Sequence, residues 1–188
     1  MAKNKVEFGI SNLHIFTYTV GEGGTVTLGT PYHQPGAISF SPEQDSNENR
    51  LDADDMAYWS EYTEGPFSGD LEVALFDDDF KTQFLGYANF SGGGLAQVKN
   101  AVKPSVGIAF EVKGDQEKRR VVFYNCSFGA ITRSYETIGE EKEPATETIP
   151  VTCTGDNGTG ITKVSFKPAD SAYATIFTAP PVPELDSE

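Results

Sequence analysis

Several groups of residues in this 188-residue chain have side chains that could do chemistry. Asp77-x-Asp79-x-Lys81 and Asp45-x-Asn47-x-Asn49 begin like oxygen-ligand loops for calcium. The first puts Lys81 at the fifth ligand position and Thr82 where such a loop needs glycine, and the second puts Arg50 at that glycine. Paired carboxylates could also serve as acid and base in glycoside hydrolysis, but two acids on a strand and a loop are commonplace. His14 and His33 have no partner at a metal-binding spacing. His14 falls on the apolar face of a strand, which suits a packed core histidine. Cys126 and Cys153 are too few for a disulfide framework or a zinc site, and buried free thiols are expected. A nucleophile elbow, a phosphate-binding glycine loop and a dinucleotide fingerprint are all missing. The expectation is a protein with no catalytic residue, no cofactor and no metal.

The aromatic group Tyr58, Trp59, Tyr62 and Phe67 has three readings. It could stack on sugar rings, as in a carbohydrate-binding β-sandwich. It could anchor a protein interface, where Tyr and Trp dominate. Or it could pack its own segment onto the domain.

The elements that must position these residues are mostly strands. Thirteen Phe, 8 Tyr and 1 Trp are spread over short apolar runs, which 19 Gly and 11 Pro punctuate. His14, Phe16, Tyr18 and Val20 share one strand face, and a Gly-rich turn leads to a second short strand, Thr25 to Leu28. Ala37 to Phe40 is a further strand. Residues 41–68 read as a long polar and aromatic loop leaving the domain, and long ordered loops are usually functional.

Leu71, Val73 and Leu75 alternate with polar or small neighbours, as in a half-buried strand. A single short α-helix follows at about 77–86. Asp77 caps it, Asp78 and Asp79 suit its positive end, and Gly86 ends it. Phe80 and Phe84 share a face with Leu85 close by, and these three should dock the helix on a sheet. Val106, Ile108, Phe110 and Val112 form the cleanest alternation, and a turn at Lys113 to Gln116 leads into Arg119 to Phe128. There Val122, Tyr124, Cys126 and Phe128 should share a face.

Glu147, Ile149, Val151 and Cys153 alternate next, with Pro150 suggesting an edge or a bulge. Glu140 to Pro144 is a charged link. Ile161 to Phe166 and Tyr173 to Phe177 read as late strands, and the Pro-rich end as an extended arm. The whole is one mainly β domain over 1–166, a β-sandwich or partly closed barrel of about eight strands. An arm over 167–188, disordered at its end, completes it.

The formal net charge is −14, and residues 43–79 hold 13 of the 28 acids with one base, Arg50. Such a surface repels phosphates and argues against nucleic-acid binding. No apolar leader follows the first residues and no long apolar run occurs, so neither secretion nor a membrane span is expected.

Some residues carry a more specific likeness. Asn4 to His14 resembles the opening of the phi13-type phage major tail proteins, tail tube proteins of long flexible-tailed phages of Gram-positive bacteria. In the same order, Pro35 to Ser39, Ala53 to Tyr58, Phe67 to Phe76 with Asp78 to Phe80, Phe110 to Gly114 with Tyr124 to Cys126, and Pro144 to Thr148 resemble later stretches of that family. The likeness covers about residues 4–166. It implies a structural virion protein, made in the host cytoplasm, whose six-fold rings stack into a tube that conducts DNA. It implies tape measure, tail terminator and baseplate or distal tail proteins as partners besides further copies of the chain. It also implies that the long loop reaches a neighbouring ring, which makes Asp54, Asp55, Tyr58, Trp59, Tyr62 and Phe67 candidate contacts. The tube lumen should be acidic or neutral, and Glu72, Glu111 and Asp52 are the candidates to face it.

Overall fold

Strand β6 (Met56–Val73) organises the fold in the computed structural model, which describes residues 9–53, 55–135, 137 and 144–185. Before it come β1 (Gly9–Val20), β2 (Val26–Leu28), β3 (Tyr32–His33), β4 (Ala37–Phe40) and β5 (Glu43–Ala53). After it come α1 (Asp78–Leu85), β7 (Ala88–Asn89), β8 (Leu95–Ala96) and β9 (Val106–Lys113). Then follow β10 (Arg120–Phe128), β11 (Thr132–Arg133), β12 (Glu147–Cys153) and β13 (Lys163–Phe166). Eleven of these strands make one antiparallel sheet in the order β2-β1-β9-β10-β12-β6-β4, with β3 on β1, β13 on β10, β11 on β12 and β5 on β6. The path ends at β2 and β4, so the sheet does not close. It curls far enough for the Phe40 ring on β4 to lie 5.4 Å from Phe123 on β10 and 5.9 Å from Phe110 on β9. The result is a mainly β, partly closed sandwich with one α-helix among the described residues.

Helix α1 plugs the concave side. The Asp77 carboxylate accepts the Phe80 N–H at 2.8 Å, and Gly86 ends the helix in the left-handed region at φ 69°. Asp77 also accepts the Tyr32 hydroxyl, which ties the cap to β3. Phe80, Phe84 and Leu85 are buried in the core with Phe76, Val73 and Phe128. Two turns of helix have no stability alone, so this docking holds α1 in place.

Several sequence expectations need correction. Residues 41–68 are not a loop: β5 and the outer part of β6 pair from Glu43↔Ser68 to Ala53↔Met56 as one long hairpin. Both faces of β5 are solvated, so it lacks the apolar alternation that marks a strand. Leu75 is exposed because β6 ends at Val73. On β10 the face changes partway. Val121, Phe123, Cys126 and Phe128 line the main core, whereas Val122 and Tyr124 lie on the other side. A register shift between Phe123 and Cys126, with Asn125 at φ 49°, inserts the extra residue.

Cys126 and Cys153 form a disulfide instead of free thiols, because the β10–β12 register places them directly opposite one another. Pro150 lies on β12 inside the sheet, between β10 and β6. Its carbonyl takes the Gly129 N–H, so its missing donor falls in the gap between β10 and β11. Glu140 to Glu143 lie outside the described residues.

The convex side carries a second apolar cluster of Phe16, Tyr18, Ala109, Val122, Tyr124 and Ile176. Gly107 lies under the Phe16 ring, where any Cβ would overlap it. The cover is the C-terminal arm. Residues 173–177 form successive turns, not a strand, with Tyr173, Ile176 and Phe177 at the i, i+3, i+4 spacing of a helical face. The Tyr124 hydroxyl donates to the Pro181 carbonyl at 2.8 Å, so the arm is packed through its Pro-rich part. Residues 186–188, where a disordered end is expected, lie outside the described residues.

His14 sits under this arm, buried, with its ring 4.6 Å from Phe177 and 4.9 Å from His33. Burial pushes its imidazole below the ordinary 6.5, the nearby His33 and Arg120 act in the same direction, and its bond to the Asn12 carbonyl opposes them.

Two outcomes follow from this packing. Phe84→Ala should lose about 3–5 kcal/mol of stability in urea unfolding, the usual cost for a fully buried phenylalanine. A depressed histidine pKa means that the unfolded chain takes up a proton at a pH where the folded chain does not. Stability should therefore fall as pH drops below about 6.5. Hydrogen exchange should show residues 173–181 loosening first, and a His14→Gln variant should lose that pH dependence.

Candidate functional site

Among the described residues the outer part of β6 pairs with β5 alone, and the two strands project from the sheet beyond the Phe67↔Cys153 pair. The pairing contains two irregularities. One lies between Gln44 and Ser46, opposite Gly65. The other makes Tyr58 the extra residue between the Leu51↔Trp59 and Asp52↔Ala57 pairs. At the tip Asp55 takes φ 61°, and its neighbour Asp54 lies outside the described residues. A close approach sets the base. A side chain at Gly69 would collide with Ser41 and Pro42, so glycine lets the chain turn from β4 into β5 against β6.

The aromatic group splits at this base. Tyr58, Trp59 and Tyr62 are 75%, 47% and 66% exposed, joined by Met56 at 66% and Leu51 at 56%. They do not pack the segment onto its own domain. Phe67 does: its ring lies 5.5 Å from Phe123 and it packs against the core. The same hairpin carries Glu43, Asp45, Glu48, Asp52, Asp55, Glu61 and Glu64, all exposed. Asp52 is paired with Arg50 at 2.7 Å on the hairpin surface.

The other two candidate acids lie on the convex side of the sheet in different surroundings. Glu72 is on the open part, where β4, β6 and β12 present Ser39, Ser68, Asp70 and Thr148 around a depression of about 530 Å³. It accepts hydroxyl donors from Thr146 at 2.7 Å and Ser39 at 3.3 Å. Glu111 is on the part reached by the C-terminal arm. It pairs with Arg120 at 3.3 Å, and that guanidinium lies over the Tyr173 and Phe177 rings and donates to the Tyr173 carbonyl. Glu111 thus takes part in the docking of the arm, while Glu72 stays on an open polar wall. Sequence alternation put both residues on the face opposite Leu71, Val73 and Phe110, where they stand, but it carries no sign of what covers that side.

One buried acid had no assigned role in the sequence reading. Glu147, 3% exposed, accepts the Phe76 N–H at 2.8 Å and pairs with Arg133 at 3.2 Å and Lys81 at 3.6 Å. It fastens the entry to α1. Its alternation with Ile149 and Val151, both apolar, was the available signal that it points inward. Among the described residues no group of three or more His, Cys, Asp or Glu could hold a metal, and no helix is long and apolar enough to cross a membrane. What the hairpin can offer chemically is contact: rigid amphipathic rings in a field of carboxylates.

No protein-family model matches the chain. No curated protein sequence matches it either. Among solved structures, one match is the anti-feeding prophage cap, described as the tube terminating cap. The two share 11% identity over 88% of this chain and 96% of that chain, with a TM-score of 0.47.

Proposed function

We propose that this chain is a structural, non-enzymatic subunit of a phage tail, and that its copies form stacked six-fold rings making the tail tube through which DNA passes. The observation that carries the reading is the hairpin. A strand pair of this length projects beyond the core of its own subunit with Tyr58, Trp59 and Tyr62 exposed. Exposed aromatics on an ordered element suit burial in an interface. The order and spacing of the residues that resemble phi13-type tail proteins support tube stacking as the use of that interface, with tape measure, terminator and baseplate proteins as the further partners. The open polar wall around Glu72 suits a lumen that repels phosphate.

Electron microscopy of the purified chain tests this. Rings or tubes are expected; monomers that bind glycans through Tyr58 and Trp59 would instead favour a sugar-binding module. Replacing residues 44–63 by a short Gly-Ser bridge should leave a folded monomer unable to form tubes. Tyr62→Ala should change the monomer's stability by less than about 0.5 kcal/mol, as for other exposed sites, while weakening assembly. For the lumen, tubes carrying Glu72→Lys should retain duplex DNA at low salt and release it as salt rises, whereas unaltered tubes retain none. Equal retention by both tubes would place Glu72 away from the channel.

A further inference from the structure

The chain's two histidines, His14 and His33, stand apart in sequence, and their spacing marks no metal motif. The sheet brings them together. β3 pairs with β1 so that His33 lies directly opposite His14, and Tyr32 opposite Ile15. The Gln34 N–H donates to the Leu13 carbonyl at 2.9 Å. That makes Leu13 and Gln34 a hydrogen-bonded pair, and His14 and His33 the adjacent pair without ladder bonds. Side chains of such a pair leave the same face of the sheet at the closest approach that strand pairing allows.

The two rings are set as ligands are, not as a flat stack. Their centres lie 4.9 Å apart and their planes are inclined by 46°. Imidazoles bonded through nitrogen to one ion, at about 2.0–2.1 Å and a bond angle of about 90–109°, put their ring centres roughly 4.5–5.2 Å apart.

The surroundings hold one ring firmly and leave the other open. His14 is buried, and its Nδ1 lies 2.9 Å from the Asn12 carbonyl. A carbonyl only accepts, so Nδ1 carries the proton and Nε2 the lone pair. A ring N–H fixed on a backbone carbonyl is the usual support behind a metal-binding imidazole. Phe177 stacks on the same ring at 4.6 Å, and the residue opposite His14 on β9 is Ala109, whose methyl group does not crowd it. His33 is exposed. Among the described residues neither ring makes a further hydrogen bond. The nearby cation Arg120 acts against a bound metal, but its guanidinium lies over the Tyr173 and Phe177 rings and pairs with Glu111, which offsets its charge.

We propose that His14 and His33 chelate one divalent transition-metal ion of the imidazole-preferring class, Cu²⁺ or Zn²⁺. Among the described residues no third His, Cys, Asp or Glu joins them, so water completes the coordination. Cu²⁺ is held more tightly than Zn²⁺, as for nitrogen ligands generally. Mg²⁺ and Ca²⁺, which take oxygen ligands, are not held. The ion clips β3 to β1. β3 has only two residues, and its Tyr32 hydroxyl donates to the Asp77 carboxylate that caps α1, so the clip reaches the helix entry as well.

The test uses the full untagged chain, freed of metal by a chelator. With two histidines in the chain, its imidazole proton signals form two sets in NMR spectra. Zn²⁺ should shift both sets together and saturate at one ion per chain. Calorimetry should show tighter binding of Cu²⁺ than of Zn²⁺, and Mg²⁺ at the same concentration should move neither ring. His33→Gln, at an exposed position, should weaken Zn²⁺ binding about tenfold or more, a loss seen even when only the partner behind a ligand is removed. A shift of one ring alone, equal binding of Mg²⁺, or an affinity unchanged in His33→Gln would put the ion on surface carboxylates and overturn the site. Saturation at one ion per two chains, with dimers in sedimentation, would overturn it in favour of an ion bridging the His33 rings of two copies. Absence of Zn²⁺ and Cu²⁺ binding up to millimolar concentration overturns it outright.

Discussion

The pairing of β6 with β12 is the constraint on which the rest depends. Seven residue pairs, from Phe67↔Cys153 to Val73↔Glu147, hold the inner part of β6 in the sheet. The last pair ends on the buried carboxylate of Glu147, which takes the Phe76 N–H and two cations. A buried charge so fully partnered fixes geometry more than it adds stability, since removing one partner leaves the others uncompensated. The same strand thereby sets where α1 enters and the direction in which the hairpin leaves. An isolated two-stranded hairpin is marginal in water. Here one of its strands is continuous with a sheet held by core packing, so the tip is presented on a stiff support.

The two faces of the sheet are used differently. The concave face is dry and aromatic: Phe80 of the helix stacks on Phe76 and meets Phe84 and Phe128 at a tilt, and Phe40, Phe67, Phe110 and Phe123 meet mostly edge to face. Rings at these separations gain beyond the area they bury. On the convex face the chain covers one part with its own C-terminal arm and leaves the part around Glu72 polar. Arg120 joins the two regimes. It answers Glu111 by charge and the arm's rings by stacking, so one side chain couples the electrostatics of β9 to the packing of the arm.

The sequence was most legible where one local rule acted alone. Asp77, the Phe80–Phe84 spacing and Gly86 mark the helix because cap, face and stop are all local. β9 is legible because its alternation is unbroken. β10 misleads because Asn125 shifts the phase, and a lone asparagine in a strand does not announce a left-handed conformation. β5 is hidden because a strand solvated on both faces shows no period of two. The Cys126–Cys153 bond depends on a register between strands that are distant in sequence. Tyr58, Trp59 and Tyr62 were visible as unusual residues, but Phe67 was grouped with them by proximity although it belongs to the core. The arm over Glu111 had a signal, the spacing of Tyr173, Ile176 and Phe177, which a strand reading of those residues conceals.

The acids of the hairpin follow from its geometry. A long, exposed strand pair with aromatic side chains and an unpaired edge invites other chains to add on without discrimination. Along β5, Glu43, Asp45, Glu48 and Asp52 stand against the single cation Arg50, and Glu61 and Glu64 stand on β6. Two such hairpins repel one another, so edge-to-edge pairing between like copies is penalised. A partner that supplies cations beside apolar side chains escapes the penalty and gains the aromatic contact. Discrimination of this kind rests on a repulsive element as much as on an attractive one.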